Sequence, residues 1–336
     1  MTSRRDALFY MLLAPVVAGC TEKHGAPRSD EPAPLKIGVI PKGTTHEFWK
    51  SVHAGVMKTA KENTNVEVIW KGPLKEDDLK SQIDIVQSMI AQGVSGILLA
   101  PLNDKALVNP VKAAMAAKIP VVIFDSSLQG QDYVGFVGTD NSGAGVLAAE
   151  HLGKVTGGKG KVLVLRYQEG SASTAAREEG FLHVLVGKFP ELRVVSDKQY
   201  GGATVESAFA AAENLLAANK ATEGGVDAVF CPNESTTFGM LLALQKANLA
   251  GKVKLVGFDA SDKLIQGVRD GQIDGLVLQD PMAMGAIGLD TLLAHLRGQT
   301  RSRVRDTGAR VVTRADLDTP EVQALIHPDL KKWLGE

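Results

Sequence analysis

The chain has 336 residues, with 37 Lys and Arg against 38 Asp and Glu, so its net charge of -1 excludes a global attraction to nucleic acid or to an anionic membrane surface. This length accommodates two domains of ordinary size, and 35 Gly with only 5% aromatic residues are typical of an α/β protein with many strand-to-helix turns. The two cysteines, Cys20 and Cys231, form no Cys/His cluster, which argues against a zinc site or another metal site.

The N-terminal residues have the pattern of an export signal. Two arginines precede an apolar run, Leu8 to Val17, which is too short to span a bilayer. The run leads into Val17-Ala18-Gly19-Cys20, which resembles a bacterial lipobox, a signal whose cysteine is acylated. We therefore predict a lipoprotein signal peptide at residues 1–20 and a flexible tether at 21–34. The protein would be exported and held at a bacterial membrane by lipid alone. The membrane and the export pathway stay open.

The first predicted strand is the apolar run Ile37 to Ile40, which ends at Pro41 because proline has no backbone N–H. Thr44 and Glu47 have the spacing of a capping box, which predicts the start of a helix. Ligands of open α/β sheets bind just beyond the carboxyl ends of strands. Four candidate binding residues follow this strand: Lys42, His46, Phe48 and Trp49. The two adjacent aromatics suit a polar ring with apolar faces, or alternatively belong to the core face of an amphipathic helix.

Strands and helices then alternate with short connections, which predicts a doubly wound parallel sheet. In the first half, strands are predicted at 66–70, 96–100, 120–124 and 133–138, with helices at 46–63, 77–92 and 105–118. The pattern restarts near residue 139 with a helix to about 155. Strands follow at 161–166, 194–200, 226–231, 253–258 and 274–278, with helices at 172–188, 204–219, after 233, and at 281–296. Two similar α/β lobes explain this alternation better than one large sheet.

Polar residues recur at the predicted strand ends of both halves. The first half supplies Asp125 and Ser126, and the second supplies Arg177, Asn233, Asp259 and Gln279. A sugar hydroxyl both donates and accepts hydrogen bonds, so a sugar site needs such a mixture of groups. Taken singly, the carboxylates and the amides are as readily explained as helix caps or turn residues, and the arginine as a solvated helix residue. Their shared position at one edge of two sheets favours binding.

Seven segments together resemble the periplasmic sugar-binding proteins of the ribose-binding type, whose fold also forms the effector domain of LacI-type repressors. They are IGVIPKGTTHEFW, IPVVIFDSS, GTDN, EGSASTAAREEGF, AVFCPNESTTFGML, KLVGFDAS and GLVLQDPMAMG. The resemblance implies ring stacking on Phe48 and Trp49, and hydrogen bonding to a sugar by Asp125, Arg177, Asn233, Asp259 and Gln279. It also implies an α/β fold of two Rossmann-like lobes with parallel sheets joined by a three-stranded hinge.

The implied hinge crossings lie near Thr139, Asp280 and Thr307. They place residues 35–139 and 281–307 in the N-terminal lobe, and residues 140–280 and 308–336 in the C-terminal lobe. After Leu317 the chain extends beyond the usual ribose-type end, and its prolines indicate a short helix lying over one lobe.

The sequence departs from the ribose pattern in two places. Ribose binders have an arginine where this chain has Ser126, and the stacking aromatic of the C-terminal lobe has no clear match. Ala203 falls at that place without a gap, and Tyr200 only with one. Lys42 and His46 would favour an acidic or phosphorylated sugar, or alternatively Lys42 is a solvated lysine at a strand end. The identity of the sugar or polyol therefore stays open.

No nucleophile–base motif, Walker loop or His-Glu-x-x-His motif occurs in the chain. We therefore predict a binding protein rather than an enzyme, with no cofactor, that delivers a monosaccharide or similar polar molecule to the permease and ATPase of an ABC importer. It would act as a monomer and bind no nucleic acid. A sugar-sensing receptor for a membrane signalling protein is the alternative. A LacI-type regulator is a weaker one, because a helix-turn-helix would have to stand where the lipoprotein signal is predicted.

Overall fold

The computed structural model of the protein describes residues 33–335. The strands are β1 (Leu35–Ile40), β2 (Val66–Trp70), β3 (Gly96–Leu99), β4 (Val121–Phe124), β5 (Gly135–Gly138), β6 (Lys159–Val164), β7 (Glu191–Ser196), β8 (Ala228–Phe230), β9 (Lys254–Phe258), β10 (Gly275–Gln279), β11 (Val304–Asp306) and β12 (Ala309–Val312). The helices are α1 (Glu47–Glu62), α2 (Leu79–Ala91), α3 (Val108–Ala116), α4 (Asn141–Thr156), α5 (Ala172–Lys188), α6 (Val205–Ala218), α7 (Glu234–Lys246), α8 (Asp262–Arg269), α9 (Pro281–Leu296), α10 (Pro320–Ile326) and α11 (Leu330–Leu334). Between residues 33 and 335, no helix has both the length and the apolar character that a bilayer crossing needs.

The strands form two six-stranded sheets, one in each lobe. The first lobe has the order β11-β5-β4-β3-β1-β2, and all neighbouring strands are parallel. Its central strands are continuous apolar runs such as Gly96–Leu99 and Val121–Phe124, buried throughout as expected for a parallel sheet covered on both faces. Apolar residues of α1 and α9 pack on one face, and those of α2 and α3 pack on the other.

The second lobe repeats this architecture with the order β12-β10-β9-β8-β6-β7. Helices α6, α7 and α8 contribute to the core on one face, and α4 and α5 to the core on the other. All neighbours are parallel except β10 and β12, which are antiparallel. The predicted fold class, two α/β lobes with largely parallel sheets, is therefore confirmed.

The chain passes between the lobes at three adjacent places, after β5, after β10 and after β11. The carboxyl ends of the parallel strands in both lobes face the cleft, so a chain leaving β11 enters the second lobe from the cleft side. It then runs away from the cleft, which is why β12 is antiparallel to β10. This exception to the parallel sheet follows directly from the crossing.

The C-terminal helices divide between the lobes. Val322 of α10 is fully buried in the second-lobe core, whereas α11 packs on α1 of the first lobe. Lys61 Nζ lies 3.3 Å from the carbonyl oxygens of both Lys332 and Trp333 and 5.6 Å from the Trp333 ring. Helix α11 therefore contacts the first lobe, although residues 308–336 are predicted as a whole to belong to the C-terminal lobe. Pro328 cannot continue α10, so the chain turns and starts a new helix that reaches the other lobe.

Candidate ligand-binding site

Two aspartates occupy equivalent positions, one in each lobe. Asp125 follows β4 and Asp259 follows β9, each directly after a buried phenylalanine. Both have left-handed backbone conformations, with φ of 60° and 66°, and both backbone N–H groups donate at 3.0 Å to the next strand, to Val137 O and Val277 O respectively. Left-handed backbone at a non-glycine residue costs roughly 1–2 kcal/mol, although aspartate tolerates it better than most residues. This strained turn places both carboxylates at the cleft.

Lys42 connects the first lobe to the second. Its ammonium nitrogen lies 2.8 Å from Asp125 Oδ2 and donates to Ser173 Oγ of α5 at 3.0 Å. The Ser173 backbone N–H in turn donates to Ser126 Oγ at 3.1 Å. The lysine is buried, so its charge is compensated by Asp125 rather than by water.

Glu76, in the loop between β2 and α2, is the centre of a second network. Its Oε1 lies 2.9 Å from His46 Nδ1 and accepts from Trp49 Nε1 at 2.7 Å, and its Oε2 accepts from the Tyr167 hydroxyl at 2.5 Å. Burial alone would lower the pKa of His46, but the Glu76 carboxylate raises it above its usual value. Burial alone would likewise raise the pKa of Glu76, but the His46 cation lowers it. Both groups are therefore charged at neutral pH.

Arg177 of α5 is held from three sides. Its Nε donates to Asn141 Oδ1 at 2.8 Å, one Nη donates to Pro232 O at 2.9 Å, and the guanidinium carbon lies 4.5 Å from the Phe258 ring centre. Helices α4 and α5 approach closely enough that a Cβ at Gly145 would lie 2.1 Å from the Arg177 carbonyl oxygen. The glycine therefore allows the contact that positions the guanidinium.

The polar residues at the carboxyl ends of β8, β9 and β10 are linked to one another. Gln279 Nε2 donates to Asp259 Oδ1 at 2.7 Å, and the Glu234 backbone N–H donates to Asp259 Oδ2 at 3.2 Å. Asn233 caps α7, because its Oδ1 accepts from the Thr236 backbone N–H at 3.3 Å. Burial raises the pKa of Asp259, although Arg177 opposes this effect.

These groups surround a small cavity between the lobes. Its lining residues are Lys42, His46, Phe48, Glu76, Asp125, Tyr167, Ser173, Thr174, Arg177, Asn233, Glu234, Asp259 and Gln279. Within residues 33–335, three buried oxygens of this lining have no hydrogen-bond partner: Asp125 Oδ2, Glu234 Oε2 and Gln279 Oε1. The first of them forms an ion pair with the Lys42 ammonium at 2.8 Å, which leaves Glu234 Oε2 and Gln279 Oε1 as the two without such a partner. Buried acceptors without partners are rare, so the lining is suited to a molecule that brings several donors.

Eight of the ten predicted binding residues lie at this cavity, and Trp49 and Ser126 do not. Trp49 is only 3% exposed and packs edge-on against Phe48 and Phe124 in the first-lobe core. The prediction that Trp49 stacks on a ligand is not supported by this geometry, because its ring packs in the core and its indole N–H donates to Glu76. Ser126 instead contacts the other lobe. Tyr200 also lies away from the cavity, 40% exposed beside Arg166.

The sequence interpretation missed five lining residues: Glu76, Tyr167, Ser173, Thr174 and Glu234. Tyr167 and Glu234 did carry a usable signal, because each stands within a few residues of a predicted strand end. Glu76 carried none, since it lies in the charged run Lys75 to Asp78, a pattern typical of a solvated loop. Only the tertiary fold brings that loop under the second lobe.

A larger cavity of about 290 Å³ adjoins the first and shares Phe48, Asp259 and Gln279 with it. Its remaining walls come from the first turns of α1, α8 and α9, and from the chain around Pro328. Of the unpartnered oxygens at the smaller cavity, it shares only the one on Gln279 among the described residues. No group of three or more His, Cys, Asp or Glu side chains in the described part of the chain is arranged to hold a metal ion.

Comparison with known proteins gives consistent matches over nearly the whole described chain. Residues 37–300 match the family described as periplasmic binding protein domain. The D-ribose/D-allose-binding protein of Pseudomonas aeruginosa is 29% identical over 312 residues, covering 90% of this chain and 96% of the relative. A carbohydrate transporter solute-binding protein of Agrobacterium radiobacter, solved with D-arabinose, has 33% identity and a TM-score of 0.83, covering 88% and 100% of the two chains. An ABC transporter solute-binding protein of Agrobacterium vitis, solved with D-fucose, has 34% identity and a TM-score of 0.82, covering 87% and 100%.

Proposed function

Because this chain belongs to the periplasmic binding protein family, we propose that it binds a neutral monosaccharide or similar polyol between its lobes and delivers it to an ABC importer. The observation that carries the proposal is the pair of buried acceptor oxygens without a partner at the cavity, Glu234 Oε2 and Gln279 Oε1, beside the Asp125 carboxylate that Lys42 neutralises. Sugar hydroxyls can donate to these oxygens, whereas an apolar ligand would leave them unsatisfied. The sugars bound by the related proteins support the same class of ligand.

The charges of the cavity support a neutral ligand rather than an acidic or phosphorylated sugar. Lys42 is paired with Asp125 at 2.8 Å, and His46 with Glu76 at 2.9 Å. The lining contains three basic side chains and four carboxyl groups, so it offers no excess of positive charge to an added anion. Lys42 and His46 are therefore interpreted as partners of carboxylates, and Phe48 offers an apolar surface to the C–H face of a sugar.

Hydrogen bonds between the lobes support a mechanism in which the cleft opens and closes. In addition to the Lys42–Ser173 bond, Gln168 Nε2 donates to Glu76 O at 2.9 Å, and the Asp104 backbone N–H donates to Gly170 O at 3.0 Å. The cavity of about 30 Å³ is far below the few hundred Å³ of ordinary ligand pockets. A sugar therefore enters when the lobes separate, and its contacts with both lobes favour closure.

A thermal-shift screen tests the ligand class. D-Ribose, D-allose, D-arabinose and D-fucose are compared with glucose 6-phosphate and galacturonate, and at least one neutral sugar is expected to raise the melting temperature. A ligand at one hundred times its dissociation constant stabilises the folded protein by about 2.7 kcal/mol. In Asp125→Ala the shift should disappear, because Lys42 loses its partner, whereas the surface variant Asp132→Ala should keep it. Stabilisation by the charged sugars alone would contradict the proposal.

We propose further that Cys20 carries the lipid that holds the protein at the membrane, facing the periplasm or the cell surface, and that the protein acts as a monomer. Cys20 lies outside the described residues, and the proposal is supported by the lipobox-like residues before it. When the protein is expressed with its own signal, the wild type should partition into detergent and Cys20→Ala should not. Equal partitioning of both proteins would refute the anchor without affecting the sugar site.

A further inference from the structure

We propose that Glu234 forms a specificity subsite of its own, in which its carboxylate accepts a hydrogen bond from one hydroxyl of the bound neutral sugar. This inference rests on the proposed function and adds to it a residue outside the set that the sequence assigned to the ligand. It follows from the position of the side chain in the cavity, from its unpartnered oxygen and from the charges around it.

Glu234 is the first residue of α7 and follows the N-cap Asn233. Its backbone N–H is used by Asp259 Oδ2 at 3.2 Å, and its side chain lines the cavity. Its Oε2 is buried and, within residues 33–335, no group donates a hydrogen bond to it. Neighbouring polar groups are already committed: Asn233 Nδ2 donates to Ser235 Oγ, and Gln279 Nε2 donates to Asp259. The cavity therefore leaves Oε2 free to accept a hydrogen bond from a ligand hydroxyl.

The charged groups facing Glu234 come from three directions. His46 and Glu47 lie at the start of α1, Glu76 lies in the loop before α2, and Asp259 lies at the end of β9. The His46 cation and the N-terminus of the 13-residue helix α7 favour the carboxylate form, while the three acidic residues and burial disfavour it. Burial is the largest effect and raises the pKa of Glu234 to about 7.

Because the carboxyl of Glu234 is partly protonated near neutral pH, sugar binding is coupled to the release of its proton. A hydroxyl that donates to Oε2 stabilises the carboxylate, so binding near neutral pH should release the Glu234 proton to the buffer. Affinity should then rise with pH through about 7 and level off above it. His46 titrates higher, near 9, so a transition between pH 6 and 8 would not be attributed to its imidazole.

The test compares Glu234→Gln with Glu206→Gln. Glu206 also lies in the first turn of a second-lobe helix, α6, but it is exposed and remote from the cavity. The probe is whichever of D-ribose, D-allose, D-arabinose and D-fucose gives the largest thermal shift. Its affinity is measured by calorimetry from pH 6 to 8.5, in phosphate and in Tris, whose different ionisation enthalpies report proton release.

The wild type and Glu206→Gln should show affinity rising with pH and release of up to one proton. Glu234→Gln should bind roughly tenfold more weakly at pH 8, with no pH dependence and no proton release, because a neutral amide replaces a charged acceptor. If Glu234→Gln kept the wild-type affinity and pH profile, the subsite would be refuted while the sugar site stood. If no neutral sugar bound the wild type, the proposed function would be refuted and this inference with it.

Discussion

Replacing Tyr167 by Phe removes one hydrogen bond between the lobes and little else. The Tyr167 hydroxyl donates to Glu76 Oε2 at 2.5 Å, and the ring is buried, with 1% of the residue exposed. Burial and the Glu76 carboxylate both raise the pKa of Tyr167, so the hydroxyl is protonated and acts as the donor. Phe keeps the ring packing, and Glu76 retains His46 and Trp49 as partners.

The size of the effect follows from where the two partners lie. A hydrogen bond to a charged group contributes about 1.5–3 kcal/mol net. Tyr167 belongs to the second lobe and Glu76 to the first, so this contribution exists only when the lobes are together. Loss of this hydrogen bond therefore destabilises the closed form relative to the open form. Sugar affinity should fall by about tenfold to a hundredfold, since each 1.4 kcal/mol is a factor of ten in the dissociation constant.

Calorimetry with the best sugar of the screen measures this affinity, and small-angle scattering measures the radius of gyration with and without sugar. We expect Tyr167→Phe to need more sugar to reach the compact form, with little change in urea stability. Tyr200→Phe is the matched control, because the same hydroxyl is removed from a second-lobe tyrosine outside the cavity. Equal affinities for the wild type and Tyr167→Phe, or equal losses in the two variants, would refute the role of the Tyr167–Glu76 bond in closure.

Three further predictions concern stability and spectroscopic signals. The pKa of Glu234 in the folded protein is raised from 4.5 to about 7, so between these pH values the native protein binds more protons than the unfolded chain. The free energy of unfolding should therefore fall by at most roughly 3 kcal/mol as the pH rises from 4.5 to about 7. Urea unfolding should show this fall in the wild type and not in Glu234→Gln. The indole N–H of Trp49 donates to Glu76, and closure of the lobes brings the Tyr167 hydroxyl to the same carboxylate, so sugar binding should change the fluorescence of Trp49. A fluorescence change that persists in Trp49→Phe would show that another residue gives the signal. Burial raises the pKa of the Cys231 thiol, so labelling of the native protein should be slow at pH 8, and rapid labelling would show that the site opens locally.

The local sequence pattern predicted the bounds of strands and helices well where clear signals mark their ends. Strand β2 and helices α5 and α9 have the predicted bounds, because turn residues or proline mark their ends. Strand β7 lies at 191–196 rather than 194–200, because its alternating, half-exposed residues give little sign of register. The capping box expected at Thr44 does not form: the Thr44 hydroxyl approaches Pro73 O instead, and α1 begins after His46. A contact with a distant loop thus overrode a local motif.

The sequence predicts those residues of the candidate site whose position follows from the order of the strands in a parallel sheet. Residues directly after parallel strands must lie at one edge, and that rule alone brings Asp125, Asp259 and Gln279 to the cavity. It cannot distinguish Phe48 from Trp49, because the direction of each ring depends on how α1 rotates against the core. It also cannot find Glu76, whose place depends on a loop that folds under the opposite lobe.

The order of the elements along the chain has a consequence for biosynthesis. Helix α9 covers one face of the first-lobe sheet and inserts residues such as Met284 and Leu292 into its core, and β11 forms the edge of the same sheet. Both elements follow the whole of β6 to β10 in the chain. A nascent chain that has just emerged from the ribosome as far as β5 therefore still exposes the apolar face that α9 will cover. The first lobe therefore cannot be completed until most of the second lobe has been synthesised, and until α9 emerges that face is open to chaperones.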